Sequence, residues 1–122
     1  MATCAAITGA TIAPGQAEDS VSFLPFLQGQ FDQPCRAQAV IHGAHGPFAL
    51  RHDDWVYIDG PTGCDRGNEE PGWFQKERGA VPHDFTAELY NLREDLGQRH
   101  NRLADEPTLA AELKAALITL KG

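Results

Sequence analysis

The stretch FALRHDDWVYID, residues 48–59, predicts the centre of the fold. It contains two short apolar runs, 48–51 and 55–58, on either side of a polar HDD segment. Aspartate is favoured in tight turns because its side chain bonds to nearby backbone N–H groups. The pattern therefore predicts a β-hairpin whose turn is formed by residues 52–54.

Arg51 ends the first strand of this hairpin and raises the question of an active site. The Asp53-Asp54 pair beside His52 has the residue types of acid/base chemistry or of a metal site. A turn is the favoured interpretation, because the two flanking strands require one there. We predict that Arg51 is structural and at least half-buried, and that it binds a carboxylate or backbone carbonyls at the end of the sheet.

Two further strands and a closing helix are predicted outside the hairpin. The strands are expected at 37–42 and 88–92, where short runs rich in apolar residues are bounded by turn residues. The segment 108–122 predicts a helix, since its leucines recur at helical spacing, with Asp105 as its N-cap and Pro107 in its first turn.

Two short helices are predicted near the N-terminus. ATCAAIT precedes Gly9, a residue suited to a left-handed helix end. Ser20 is the expected N-cap of a second short helix that ends at Gly29. The fold class is therefore predicted as α+β: a small antiparallel sheet of three or four strands packed by a C-terminal helix, with short N-terminal helices.

Both faces of the third strand are bulky, with Trp55 and Tyr57 on one and Val56 and Ile58 on the other. The segment 59–86 shows neither helical nor strand periodicity and predicts a long loop. With few elements to cover the sheet, we expect an exposed apolar surface that includes parts of Ile7, Phe23, Leu27, Trp55 and Tyr57.

Composition excludes several classes of protein. The chain has 122 residues, enough for one domain, and 42% of them are hydrophobic. No apolar run is long enough to span a bilayer, and the N-terminal residues lack a basic leader. The net charge of -7, without a basic stripe, argues against nucleic-acid binding.

Histidine and cysteine offer two further possibilities for chemistry. His42 and His45 could join Cys35 and Cys64 in a zinc site, but no Cys-x-x-Cys pair supports that, and polar loop histidines are favoured. Arg66 follows Cys64 closely and could favour its thiolate, yet nothing pairs this cysteine with a histidine. Three cysteines cannot all pair within one chain, so we expect incidental thiols.

The order of the blocks resembles the C-terminal part of arylsulfatase-type enzymes. The blocks are AEDSVSFLPFLQGQ at 17–30, GPFALRHDDWVYID at 46–59 and ELYNLREDLGQRHNRLADEP at 88–107. They are similar to family patterns written DS…LP.L.G, FA.R.G.WK and ELY.L..D..E..N.A. The matching residues are Asp19, Ser20, Leu24, Pro25, Leu27, Gly29, Phe48, Ala49, Arg51, Trp55, Glu88, Leu89, Tyr90, Leu92 and Asn101.

The chain also departs from this family. Val56 replaces the usual lysine after the tryptophan, and the segment DLGQ at 95–98 replaces the usual Asp-Pro-Gly-Glu turn. The Cys/Ser-x-Pro-Ser-Arg motif, whose first residue becomes formylglycine in sulfatases, does not occur, and neither do the family's N-terminal calcium carboxylates. The resemblance implies that residues 1–122 form a noncatalytic sulfatase C-terminal subdomain, with Met1 an internal methionine.

In the family that this chain resembles, the catalytic groups belong to a separate N-terminal domain, and this decides what the resemblance implies for sites and partners. Calcium and formylglycine are expected only in the complete enzyme, and the expected partners are the N-terminal catalytic domain or a second copy of the chain. His42, His45 and Trp73 are candidates for the substrate rim, while Arg51, Trp55 and Tyr90 are predicted to be structural. The alternative hypothesis is a noncatalytic binding module that uses the apolar sheet face and the 59–86 loop.

Overall fold

The structure is a computed structural model that describes residues 1–42, 46–60, 72–78 and 85–121. Its elements, in chain order, are α1 (Ala2–Thr8), α2 (Leu24–Leu27), β1 (Gln38–His42), β2 (Phe48–His52), β3 (Trp55–Asp59), α3 (Gly72–Arg78), β4 (Glu88–Asn91) and α4 (Pro107–Lys121). The chain divides into two compact units, Met1–Ala37 and Gln38–Gly122. The α+β fold class is confirmed.

The second unit contains a four-stranded antiparallel sheet in the order β1-β2-β3-β4. Each strand therefore pairs with the next one along the chain. The predicted hairpin is confirmed, and Asp53 in its turn has φ 51°, a left-handed conformation that aspartate tolerates better than most residues.

One face of the sheet packs against α4 and forms the core. The strand register places Leu50 opposite Tyr57 and Tyr57 opposite Leu89, so the three side chains share this face. They pack with three residues of α4, Ala110, Leu113 and Leu117. Tyr57 is only 2% exposed, so its predicted place on an exposed surface is wrong, because α4 covers the face on which it lies.

Buried side chains also occur on the opposite face. Val56, Glu88 and Tyr90 are all buried there, and the Tyr90 hydroxyl donates a hydrogen bond to Glu88 Oε2 at 2.7 Å. The two residues lie two positions apart on β4 and so share one face, and the bond gives both buried polar groups a partner. Tyr90 thus occupies a packed position of the kind that a structural residue requires.

The two outer edges of the sheet differ. On β4, the Leu89 N–H donates to Asn101 Oδ1 at 3.0 Å, and the Leu89 carbonyl accepts from the Arg102 N–H at 2.7 Å. On β1, the described residues provide a single strand neighbour, β2, and Val40 and Ile41 are 38% and 51% exposed. The chain that follows β4 therefore covers one edge, while the described residues add no strand to the other.

The first unit is held by hydrogen bonds between α1 and the segment before α2. The Ala2 N–H donates to Ser20 Oγ at 2.8 Å, and the Phe23 N–H donates to the buried Thr3 Oγ1 at 3.1 Å. Ser20 was predicted as an N-cap, which is wrong: α2 starts at Leu24, and the Ser20 hydroxyl is used by the start of α1 instead. The first helix and its left-handed end at Gly9 are confirmed.

Large apolar side chains of this first unit remain exposed. Ile7 and Leu27 are each 61% exposed, and the same unit exposes Val21, Phe23, Phe26 and Phe31. The predicted exposure of Ile7, Phe23 and Leu27 is confirmed. Trp55, named with them, is half-buried against the core of the second unit.

Two helix predictions need correction. The 59–86 segment contains α3 at Gly72–Arg78, so it is not a loop throughout; GWFQKER has helix-forming residues but is too short to show a period. α4 begins at Pro107, which puts its cap position at Glu106, while the Asp105 carboxylate contacts Arg102. None of the helices in the described ranges has the length and apolar character to cross a membrane.

Candidate functional site

The β2–β3 turn, where an active site was considered, is a set of local contacts. Arg51 is exposed, and its Nε donates to the Asp53 carbonyl at 3.3 Å. His52 Nε2 lies 3.7 Å from Asp53 Oδ2, while Asp54 Oδ2 lies 3.3 Å from Arg93 Nε. Each carboxylate thus faces its own neighbour, and the two do not converge on a shared ligand.

Arg51 differs from the prediction in one respect. It does bind a backbone carbonyl, but it is exposed rather than half-buried, because that carbonyl belongs to the exposed residue Asp53 in the β2–β3 turn. An exposed guanidinium keeps its hydration and needs no buried partner. Its structural role stays a prediction, with a smaller expected effect on stability.

The opposite end of the sheet brings together an aromatic ring and four polar residues. The register pairs His42 with Phe48, and their rings stack with centroids 4.0 Å apart and planes inclined by 10°. Lys121, from the last turn of α4, places its Nζ 4.3 Å from the centroid of the Phe48 ring. A cation at this distance from an aromatic face is attracted by the ring quadrupole.

Tyr57, Asp59 and Lys114 form the second part of this end. The Tyr57 hydroxyl donates to Asp59 Oδ1 at 3.2 Å, and Lys114 Nζ lies 3.9 Å from the same oxygen. Burial, and then the adjacent Asp59 carboxylate, raise the pKa of Tyr57 to about 12. The phenol therefore stays protonated at neutral pH and serves as a hydrogen-bond donor.

We call the residues His42, Phe48, Asp59, Lys114 and Lys121 the His42 end of the sheet. It offers an exposed imidazole, two ammonium groups and a carboxylate, a mixture that can bind polar or anionic groups but contains no nucleophile paired with a base. Of these five residues, only His42 was predicted from the sequence as a site residue. Lys114 and Lys121 lie two helical turns apart and thus on one side of α4, a signal that could have added them.

The other predicted rim residues are placed less completely. His45 lies outside the described residues. Trp73 is on α3 and is 64% exposed. The role of His42, His45 and Trp73 in a substrate rim stays a prediction.

A groove of about 800 Å³ lies between residues 85–87 and 99–105. Arg102 contributes Nε at 3.1 Å from Asp105 Oδ2 and Nη1 at 3.7 Å from Glu94 Oε2. The Nε–H makes no well-aligned hydrogen bond, so we count these contacts as ion pairs. The carboxylates of Glu94 and Asp105 therefore balance the positive charge of Arg102 in this groove.

Asp95 anchors the turn that leads into this groove. Its Oδ2 accepts hydrogen bonds from the His100 and Arg99 N–H groups at 2.8 and 2.6 Å, and chiefly these bonds lower the pKa of Asp95. The turn therefore keeps its anchoring aspartate although its next residues differ from the family pattern.

The residues considered for metal-binding and thiol chemistry are only partly among the described residues. Within it, no group of three or more His, Cys, Asp or Glu side chains is arranged to hold a metal ion. Cys4 is exposed on α1 and Cys35 is half-buried, whereas Cys64 lies outside the described residues. The zinc and thiol hypotheses that involve Cys64 and His45 stay predictions from the sequence.

Comparison with known proteins points to one class of enzyme. No family model matches the chain, and no curated protein matches it either. Among solved structures, the chain is similar to a sulfatase of Bacteroides thetaiotaomicron, described in connection with a versatile core genetic locus for the metabolism of multiple glycosaminoglycans. The identity is 25% and the TM-score is 0.74; the match covers 98% of this chain but only 23% of that sulfatase, so this chain spans less than a quarter of the length of the structure that it resembles.

Proposed function

We propose that this chain is the C-terminal subdomain of a formylglycine-dependent sulfatase of the arylsulfatase type, and that it has no hydrolase activity by itself. The observation that carries the proposal is the likeness over 98% of the chain to a sulfatase of which it spans 23%. The three sequence blocks support it, since they fall on α2, on the β2–β3 hairpin and on β4 with its following turn.

Hydrolysis of a sulfate ester requires functional groups that this chain does not combine. An activated nucleophile must attack sulfur, a cation must stabilise the developing negative charge, and an acid must protonate the leaving oxygen. The formylglycine motif is absent from the sequence, and the described carboxylates do not form the oxygen-rich cluster that calcium needs. In our proposal the catalytic domain supplies the nucleophile and the calcium ligands.

The exposed apolar residues of the first unit support docking on that domain. Ile7, Phe23 and Leu27 are all more than half exposed, and two short helices cannot bury them. Where exposed apolar side chains adjoin in a patch, they commonly mark a protein interface. We propose that those of the first unit pack on the catalytic domain in the complete enzyme.

The His42 end of the sheet is the part that we propose to contact substrate in the complete enzyme. Its imidazole and ammonium groups are suited to hydroxyl and sulfate oxygens. Because the similar sulfatase is described in glycosaminoglycan metabolism, sulfated glycosaminoglycan fragments are the first substrates to test.

A chimeric enzyme tests the proposal. The part of the Bacteroides sulfatase that this chain matches is replaced by residues 1–122, and hydrolysis of sulfated glycosaminoglycan fragments is measured. We expect activity in the chimera, loss of activity when its formylglycine precursor is replaced by alanine, and greater thermal stability than the catalytic domain alone. A catalytic domain whose stability and activity do not change when residues 1–122 are added would contradict the proposal.

The isolated chain provides the second test. We expect no turnover of aryl sulfates with or without calcium. Turnover that survives repurification and replacement of Cys4, Cys35 and Cys64 by serine would show that the chain is catalytic by itself.

The rim hypothesis needs its own measurement. In the chimera, His42→Ala, His45→Ala and Trp73→Ala should each change the ratio of kcat/KM between two substrates. Gln38→Ala, at the other end of β1, is the matched control and should leave the ratio unchanged. Equal ratios in all four variants would remove these residues from the rim.

The alternative, a noncatalytic binding module, has weaker support. α4 covers one face of the sheet, and most of the 59–86 loop lies outside the described residues. The apolar surface that the structure does expose belongs to the first unit, where it fits a docking role equally well.

A further inference from the structure

The outer edge of β1 has backbone groups available to pair with another strand, whereas those of Leu89 on the outer edge of β4 are already bonded. β4 is closed by the Asn101 side chain and the Arg102 N–H, which take both outward groups of Leu89. β1 has no such cover among the described residues. Its sequence, QAVIH, also lacks the lysine, proline or bulge with which proteins commonly protect an edge.

The register shows which backbone groups of β1 point outward. In an antiparallel sheet, residues alternate between bonding to one neighbour and to the other. Leu89 bonds outward, so Tyr57 opposite it bonds to β2, and Leu50 opposite Tyr57 bonds to β3. Val40, opposite Leu50, therefore directs its N–H and carbonyl away from the sheet, as do Gln38 and His42 at two residues' distance.

We propose that β1 pairs with β1 of a second copy of this chain, antiparallel and centred on Val40. This register joins Val40 to its own equivalent and Gln38 to His42 of the second copy, so all three outward N–H groups and carbonyls find partners. The register is two-fold symmetric, so each copy presents the same five residues to the other.

The side chains suit this pairing as well as the backbone does. Val40 and Ile41 are both partly exposed, on opposite faces of the sheet, so each face gains an apolar contact across the new strand pair. Val40 would lie beside its equivalent, and Ile41 beside Ala39 of the second copy, both of them favourable cross-strand neighbours. No Asp, Glu, Lys or Arg in β1 opposes another.

The dimer should be weak and reversible. A five-residue strand pair buries much less surface than a stable protein interface, and the net charge of -7 on each copy opposes association. Sedimentation velocity over a concentration series therefore provides the first test. A wild-type chain that stays monomeric up to millimolar concentration would overturn the proposal.

Val40→Pro and Val40→Ala form a matched pair of variants. Both remove the valine side chain, but only proline removes the outward N–H, and it leaves the bonds between β1 and β2 in place. We expect at least a tenfold larger dissociation constant for Val40→Pro than for Val40→Ala, with unchanged far-UV circular dichroism. Equal weakening by the two variants would overturn the proposal, because side chains rather than strand pairing would then hold the dimer.

Disulfide cross-linking tests the register and needs no folded proline variant. With Cys4, Cys35 and Cys64 replaced by serine, Val40→Cys should form covalent dimers under mild oxidation, since paired strand residues lie within disulfide reach. Gln38→Cys is the control: its equivalents would be four residues apart along the paired strands, too far to bond. Equal cross-linking of the two variants would overturn the proposed register and point to association through the exposed apolar residues of the first unit.

Discussion

The two compact units of this chain differ in how much of their apolar side chains they bury. In Gln38–Gly122, Leu50, Leu89 and Leu117 are completely buried between the sheet and α4. In Met1–Ala37, most large apolar side chains are exposed, and order rests on hydrogen bonds such as that from Phe23 to Thr3. The comparison indicates that apolar burial in the second unit supplies most of the stability of the isolated chain, whereas the first unit buries few large apolar side chains of its own.

The core of the second unit gives the greatest predicted loss of stability. Leu117→Ala should lower the free energy of unfolding by about 2–5 kcal/mol, because it leaves a cavity in the core. Leu27→Ala, a matched change in the first unit, should alter it by less than about 0.5 kcal/mol. Urea unfolding followed by far-UV circular dichroism measures both, since each unit contains helices. Comparable losses would show that the first unit also has a core.

The contacts that close the outer edge of β4 are expected to make the second largest contribution to stability. Asn101→Ala removes the acceptor of the Leu89 and Leu103 N–H groups and should cost about 1–3 kcal/mol. Asn91→Ala is the control, since the Asn91 side chain accepts one exposed bond from the Arg93 N–H. Urea midpoints of the two variants are compared; a larger shift for Asn91→Ala would show that the edge contacts do not stabilise the sheet.

The pKa of Tyr57 makes the second unit sensitive to alkali. Because its folded pKa, about 12, exceeds the value of 10.0 for a free side chain, its contribution to stability is complete below pH 10 and is lost as the pH rises towards 12. Asp59→Asn should lower the folded pKa only in part, since burial is the larger cause. Absorbance titration near 295 nm, in a Tyr90→Phe background, isolates this phenol. A pKa unchanged by Asp59→Asn would remove the carboxylate from the explanation.

The smallest effect concerns Arg51. Its exposure and its 3.3 Å bond to the Asp53 carbonyl predict a change of less than about 0.5 kcal/mol for Arg51→Ala. Arg51→Lys, which keeps the charge but not the Nε donor, should match it. A loss above 1 kcal/mol in the urea midpoint analysis would restore the half-buried role that the sequence suggested.

Local signals explain most of the fold that could be predicted. The four strands lie within about one residue of their predicted bounds, because alternation and turn residues mark them directly. The leucine spacing of α4 was equally informative. α3 has only seven residues, too few for a visible period, and so it was missed.

The candidate site depended on contacts that no local pattern encodes. Lys121 reaches Phe48, and Lys114 reaches Asp59, only because α4 returns across the sheet. Whether Arg51 is buried likewise depends on what packs beside the β2–β3 turn. Such facts follow from tertiary packing, which residue types near one another in sequence do not specify.

The order in which strands neighbour one another has a consequence for how quickly the chain folds. Every strand pairs with its predecessor, so most of the sheet can form by local search. β2 and β3 are joined by two residues and should pair first, whereas β3 and β4 must close the long 60–87 connection, which costs more chain entropy. We therefore expect the β2–β3 hairpin to be structured in the folding transition state and the docking of β4 and α4 to limit the rate.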